Sequence, residues 1–102
     1  MSHPLTSQEL DLALSSLPGW AHEDGHLTKL FVFETFREAI GFIVQIGFIA
    51  DEMNHHPELY NVYRRVQVSL TTHNAGSLVT EKDVKLAEKI ELLQPAEVED
   101  DD

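Results

Sequence analysis

"LYNVYRRVQVSLTTH", residues 59–73, decides the fold. The run is rich in β-branched and aromatic side chains, the composition of a pleated, half-buried surface. Val66, Val68 and Leu70 fall on one face and Arg65, Gln67 and Ser69 on the other, the period of two that a strand requires. An ordinary strand has about 5–6 residues. This run is much longer, so a break is expected near 63–65, making it a pair of strands.

Upstream, "LTKLFVFET", residues 27–35, alternates on Leu27, Lys29, Phe31 and Phe33. The turn signal "EDGH" precedes it, and "GWAHE" before that reads as a short strand, so the two form a hairpin. Three helix starts share one signature, Thr-x-x-acid, at Thr6 to Glu9, Thr35 to Glu38 and Thr80 to Asp83. In such a capping box the Thr oxygen accepts an orphan N–H and the acid reaches back to the cap's own N–H. The Asp version is expected to be weaker because its side chain is shorter. Each box opens a stretch of helical apolar spacing: Leu10, Leu14 and Leu17, then Phe36, Ile40, Ile43, Gly47 and Ala50, then Leu86, Ile90 and Leu93. Helices are therefore predicted over roughly 6–16, 35–54 and 80–93. The order α-β-β-α-β-β-α implies an α+β domain, one antiparallel sheet with the helices packed on one face.

The composition fits one domain of 102 residues, with no repeat and no linker. The domain is expected over residues 1–95, followed by a disordered acidic tail, 96–102, ending in "EVEDDD". The absence of cysteine excludes disulfides and thiolate chemistry. A net charge of −11 argues against nucleic acid and against an anionic membrane surface. The N-terminus has no secretory pattern, and the apolar stretch 40–50 is too short to span a bilayer. The expectation is a soluble, cytoplasmic protein.

The chemistry concentrates in "EMNHHPELYNVY", residues 52–63, and in His73 beside the loop signal "NAGS". Pro57 disfavours the helical region for His56, so His55 and His56 fall at a helix-to-strand junction. Three readings are open. The pair can complement a helix dipole. With His73 it can move protons, since imidazole titrates near neutrality. Or His55, His56, His73 and Asp83 can hold a metal, although adjacent histidines are not the usual ligand spacing. There is no phosphate loop and no nucleophile motif, which suits dehydration, tautomerisation or isomerisation. His3, His22 and His26 read as solvated.

"DEMNHHPELYNVYRRVQVSLTTHNAG" followed by "TEKDVKLAEKIE" resembles the pterin-4a-carbinolamine dehydratases, over nearly the whole chain. The pattern carrying the resemblance is E-x-x-[DN]-H-H-P, then N-V-Y, then T-H-x-A-G and a late aspartate. The resemblance implies a four-stranded antiparallel sheet and a hydro-lyase of pterin recycling, linked to aromatic amino-acid hydroxylases. Such an enzyme removes water from a 4a-hydroxytetrahydropterin without metal or organic cofactor. It also implies that His55, His56 and His73 surround the substrate, with Asp83 orienting one imidazole. Asp51, Asn54, Thr71, Thr72 and Asn74 would belong to the substrate site. His73 and His55 are the expected acid–base pair, in either order, and His56 the residue that holds the pterin.

Three positions depart from the family pattern: Leu59 stands for the usual Trp, Asp51 for the usual Glu, and the loop 73–83 is one residue longer, with Val79 the expected extra residue. The alternative function is a non-catalytic binding or dimerisation module of the same fold.

A homo-oligomer, dimer or tetramer, is expected through the helix 35–54. Its apolar positions form two stripes, Phe36, Ala39, Ile40, Ile43, Gly47 and Ala50, and Phe42, Ile46, Ile49 and Met53. A helix on a small sheet needs only one.

Overall fold

The computed structural model describes residues 3–93 and 95–100. In chain order the elements are α1 (Ser7–Leu14), β1 (Ala21–Glu23), β2 (His26–Val32), α2 (Phe36–Met53), β3 (Glu58–Val62), β4 (Arg65–Leu70), a short 3-10 turn (His73–Ala75) and α3 (Glu81–Glu91). The order is the α+β arrangement expected, and each helix lies inside its predicted span. The sheet runs β1-β2-β4-β3, with every neighbouring pair antiparallel.

The break in residues 59–73 is a two-residue turn between β3 and β4. Tyr63 takes the left-handed region there, with φ 50. The Asn61 amide secures the turn by donating to the carbonyls of Tyr63 (3.2 Å) and Arg65 (2.8 Å).

One face of the sheet makes the core. Leu27, Phe31, Val66, Val68 and Leu70 are all 0% exposed. They meet Ala39, Phe42 and Ile46 of α2 and Leu86, Ala87 and Ile90 of α3. Each large side chain buried this way contributes about 1.5–3 kcal/mol. Phe31 and Phe42 pack with their planes tilted by 52° and 4.7 Å between centroids. Lys29 shares this face but snorkels to its rim, where Nζ lies 2.8 Å from Glu91. Leu30, Tyr60 and Val62 stand exposed on the opposite face.

The assignment of the two apolar stripes on α2 is corrected by the structure. Phe42 and Ile46 of the second stripe are buried together with Ala39 and Ala50 of the first, and Ile49 and Met53 are half-buried. The outer face instead carries Phe36, Ile40, Val44 and Phe48, the last 70% exposed. The helix is apolar nearly all round, so periodicity does not set its rotation. Close packing does: the small Ala39 and Ala50 face inward, at 0% and 1% exposure.

The caps follow the three Thr signals, with differences. The boxes at Thr6 and Thr80 are reciprocal. At Thr35 the hydroxyl accepts from the Glu38 N–H (3.1 Å), but the Glu38 carboxylate turns to that hydroxyl (3.4 Å). The Asp83 box, expected to be the weaker one, is formed and buried.

Val79 is 2% exposed, and its carbonyl accepts from the Leu5 N–H at 2.9 Å. In the same loop Gly76 and Ser77 take positive φ, 80 and 57, and Leu78 is exposed. The β1–β2 turn props this loop: Thr71 Oγ1 donates to the Gly25 carbonyl at 2.7 Å. A Cβ on Gly25 would come 2.4 Å from the Ser77 carbonyl oxygen, and φ is +77 there, so glycine is required.

Beyond α3 the chain returns along β2, where Val98 N–H donates to Val32 O at 2.8 Å. Glu97 lies 3.6 Å from Lys29 and Asp100 pairs with Arg65. Positions 101 and 102 of the acidic segment lie outside the described residues. No helix among the described residues is long and apolar enough to cross a membrane.

Candidate active site

The end of α2 places the two histidines. Asn54 adopts the left-handed region (φ 52), which Asn tolerates better than most residues. Its N–H donates to Asp51 O and the His55 N–H to Ala50 O, both at 3.1 Å. This is a Schellman ending, which closes the helix and turns the chain away. Across the gap, β4 delivers Thr71 and Thr72, and the 3-10 turn delivers His73 and Asn74.

Between them lies a cavity of about 470 Å³ lined by His55, His56, His73, Asn54 and Asn74, among others. That volume is within the usual range for a small-molecule site. A second hollow, about 360 Å³ on the open sheet face, is lined by Leu30, Tyr60, Val62, Arg65 and Gln67 and contains no histidine.

His55 is the most constrained of the three histidines. Its Nε2 lies 2.6 Å from Asp83 Oδ1, with the imidazole 10% exposed and the carboxylate 0%. Asp83 Oδ2 accepts from Thr72 Oγ1 (2.8 Å) and from the Thr80 N–H (2.9 Å). Asp83 is thus behind the cavity wall, in contact with His55. His56 Nε2 lies 3.3 Å from Asp51, and both side chains are exposed. His73 is exposed at the cavity edge.

Of the residues expected at the substrate site, Asn54, His55, His56, Thr71, Thr72, His73 and Asn74 line the cavity, whereas Asp51 does not. The hydroxyls of Thr71 and Thr72 are engaged with Gly25 and Asp83. Sequence reasoning missed Pro57, Glu58 and Lys82 as lining residues. Glu58 follows directly on Pro57 and Lys82 stands two residues after the Thr80 cap, and no spacing rule marks them. It also missed Thr80 as a site-supporting residue, though it found the cap. The metal reading would need His55, His56, His73 and Asp83 around one ion. Among the described residues, no group of three or more His, Cys, Asp or Glu is arranged to hold a metal.

His3 and His22 are exposed, as expected. His26 differs: it is half-buried, with Nδ1 2.8 Å from the Asp24 carbonyl and Nε2 3.1 Å from Glu58. The Asp24 carbonyl raises its pKa; burial opposes this, and Glu58 adds to the rise.

The sequence profile described as pterin 4 alpha carbinolamine dehydratase matches residues 3–93. The chain belongs to this family. A relative in Opitutus terrae is 49% identical over 85% of this chain and 90% of its own, and one in Prochlorococcus marinus is 44% identical over 89% and 94%. Both carry the name pterin-4-alpha-carbinolamine dehydratase in provisional form. A crystal structure from Brucella melitensis, described as a transcriptional coactivator/pterin dehydratase, superposes with a TM-score of 0.84 at 40% identity, covering 89% of this chain and 98% of that one. A pterin dehydratase-like protein described as a RuBisCO assembly factor in the alpha-carboxysome shares the fold, with a TM-score of 0.59 at 19% identity over 72% of this chain and 84% of its own. In this dehydratase family member, the cavity is thus built on a family fold, with two of its three histidines on the helix-ending motif and the third on the loop after β4.

Proposed function

We propose that the protein removes water from a 4a-hydroxytetrahydropterin, giving the quinonoid dihydropterin, by histidine acid–base catalysis. The observation that carries this reading is His55, held by a buried carboxylate on the wall of a cavity it shares with His56 and His73. The reaction breaks the C4a–O bond, removes the N5 proton and forms a C4a=N5 double bond, and the oxygen leaves as water. One group must take the N5 proton and another must protonate the leaving oxygen. Each such transfer contributes about 10²–10⁴-fold. The protein need only transfer protons while water leaves, so the reading calls for no metal or organic cofactor. A role beside an aromatic amino-acid hydroxylase, regenerating its pterin, follows from the same chemistry.

The test is a dehydration assay on a synthetic 4a-hydroxytetrahydropterin. Acceleration over the spontaneous reaction is expected, unchanged by chelator. A loss of activity on chelation that zinc restores would sink the acid–base account.

The exposed stripe Phe36, Ile40, Val44 and Phe48 supports a homo-oligomer joined through α2. Burying such a stripe against a second copy would contribute about 1.5–3 kcal/mol per large side chain. Phe48→Glu should lower the mass seen by light scattering. A monomeric wild type, or a variant of unchanged mass, would refute the assembly.

A further inference from the structure

The hydroxyl of Thr72 is engaged behind the cavity, and its hydrogen bonds have a direction. Thr72 Oγ1 lies 2.8 Å from Asp83 Oδ2 and 2.7 Å from Thr80 Oγ1. A hydroxyl has one proton to give, and an ionised carboxylate has none. Thr72 therefore donates to Asp83 and accepts from Thr80. The Thr80 proton is committed in turn, and the Thr80 oxygen accepts the Lys82 N–H at 3.2 Å. The Thr80 N–H is a second donor to the same Oδ2, at 2.9 Å. With Oδ2 occupied by two donors, Oδ1 is left for His55 Nε2, 2.6 Å away. Thr72 is 3% exposed, and Thr80 and Asp83 are 0%, so bulk water does not compete for these bonds.

A carboxylate that only accepts makes His55 the donor at Nε2. In the neutral imidazole the other nitrogen, Nδ1, then carries the free lone pair. We propose that Thr72 is a positioning residue: together with Thr80 it holds the Asp83 carboxylate in the orientation that keeps the His55 proton on Nε2 and leaves Nδ1 as the proton acceptor. The catalytic half of this rests on the dehydratase reading; the tautomer half does not. In the dehydration, Nδ1 takes the N5 proton and the electron pair left on N5 forms the C4a=N5 bond. The C4a–O bond breaks, and a second histidine supplies the proton with which the oxygen leaves as water.

Thr72→Val keeps the shape and removes the hydroxyl, while Thr72→Ser keeps the hydroxyl. The valine variant should lose about tenfold in kcat with KM within about twofold, and the serine variant should recover most of it. Nitrogen-15 NMR of His55 should show a single Nε2–H tautomer in the wild type and in Thr72→Ser, and a mixture in Thr72→Val. Raised KM with unchanged kcat would make Thr72 a substrate contact and overturn the proposal. So would an unaltered tautomer in the valine variant. The wild-type spectrum is decisive even if the valine variant does not fold, since a proton on Nδ1 would overturn the proposal by itself. If the wild type does not dehydrate the pterin at all, the dehydratase reading fails, and the spectra still decide the role of Thr72.

Discussion

His55 and His56 are neighbours in sequence, and each meets a carboxylate, yet the two pairs are physically different. His55 and Asp83 are 2.6 Å apart with the carboxylate fully buried and supported by two further donors. His56 and Asp51 are 3.3 Å apart with side chains 59% and 86% exposed. Water and ions screen the second pair, so it holds neither partner in a fixed geometry. The first pair sits where the effective dielectric is low and no solvent competes. The lesson is that a carboxylate orients a neighbouring imidazole only when it is itself held in place. Adjacent histidines acquire separate environments from the burial of their partners.

The largest effect should come from breaking the buried pair. Asp83→Ala removes the acceptor of three donors and is expected to cost about 3–5 kcal/mol of stability in chemical denaturation. A loss below about 1 kcal/mol would mean the pair is no more constrained than the exposed one.

Next come the imidazoles themselves. His55→Ala and His73→Ala should each lower turnover by about 10²-fold or less, because the reaction has an uncatalysed path and another histidine substitutes in part. His56→Ala should act mainly on KM. Steady-state kinetics on the three variants checks this; equal kcat losses for His55 and His56 would erase the distinction between the two pairs.

His26 sharpens the comparison with a third, half-buried histidine. Its folded pKa is raised, chiefly by the Asp24 carbonyl. The protonated ring therefore stabilises the fold fully below its ordinary value of 6.5, and this contribution is lost as pH rises through the raised folded value. His26→Gln should destabilise the protein more at pH about 5.5 than at about 8.5 in denaturant titrations. The opposite trend would show that the ring is held in its neutral form.

The smallest effect is expected at Asp51→Asn, within about 0.5 kcal/mol of stability. A loss comparable to that of Asp83→Ala would show that exposure does not separate the pairs.

What the sequence by itself determined was local. Thr6, Thr35 and Thr80 marked the helix starts because caps are made within one turn of chain. The alternation in 59–73 marked two strands and the turn between them, because a pleat has a period of two. The motif around His55, His56 and His73 carried the family, and with it the fold. What only the tertiary structure decided was relative placement. The rotation of α2 depended on which row of a nearly all-apolar helix packs closest to the sheet, so Ile46 went inward and Phe48 outward. Val79 is in the core, and its carbonyl accepts the N–H of Leu5, a residue distant in sequence. Thr80 and Asp83 look like an ordinary capping box in sequence. They became part of the site because β4 and the end of α2 bring Thr72 and His55 onto the same carboxylate, and contacts between residues so far apart in the chain leave no periodic trace in it.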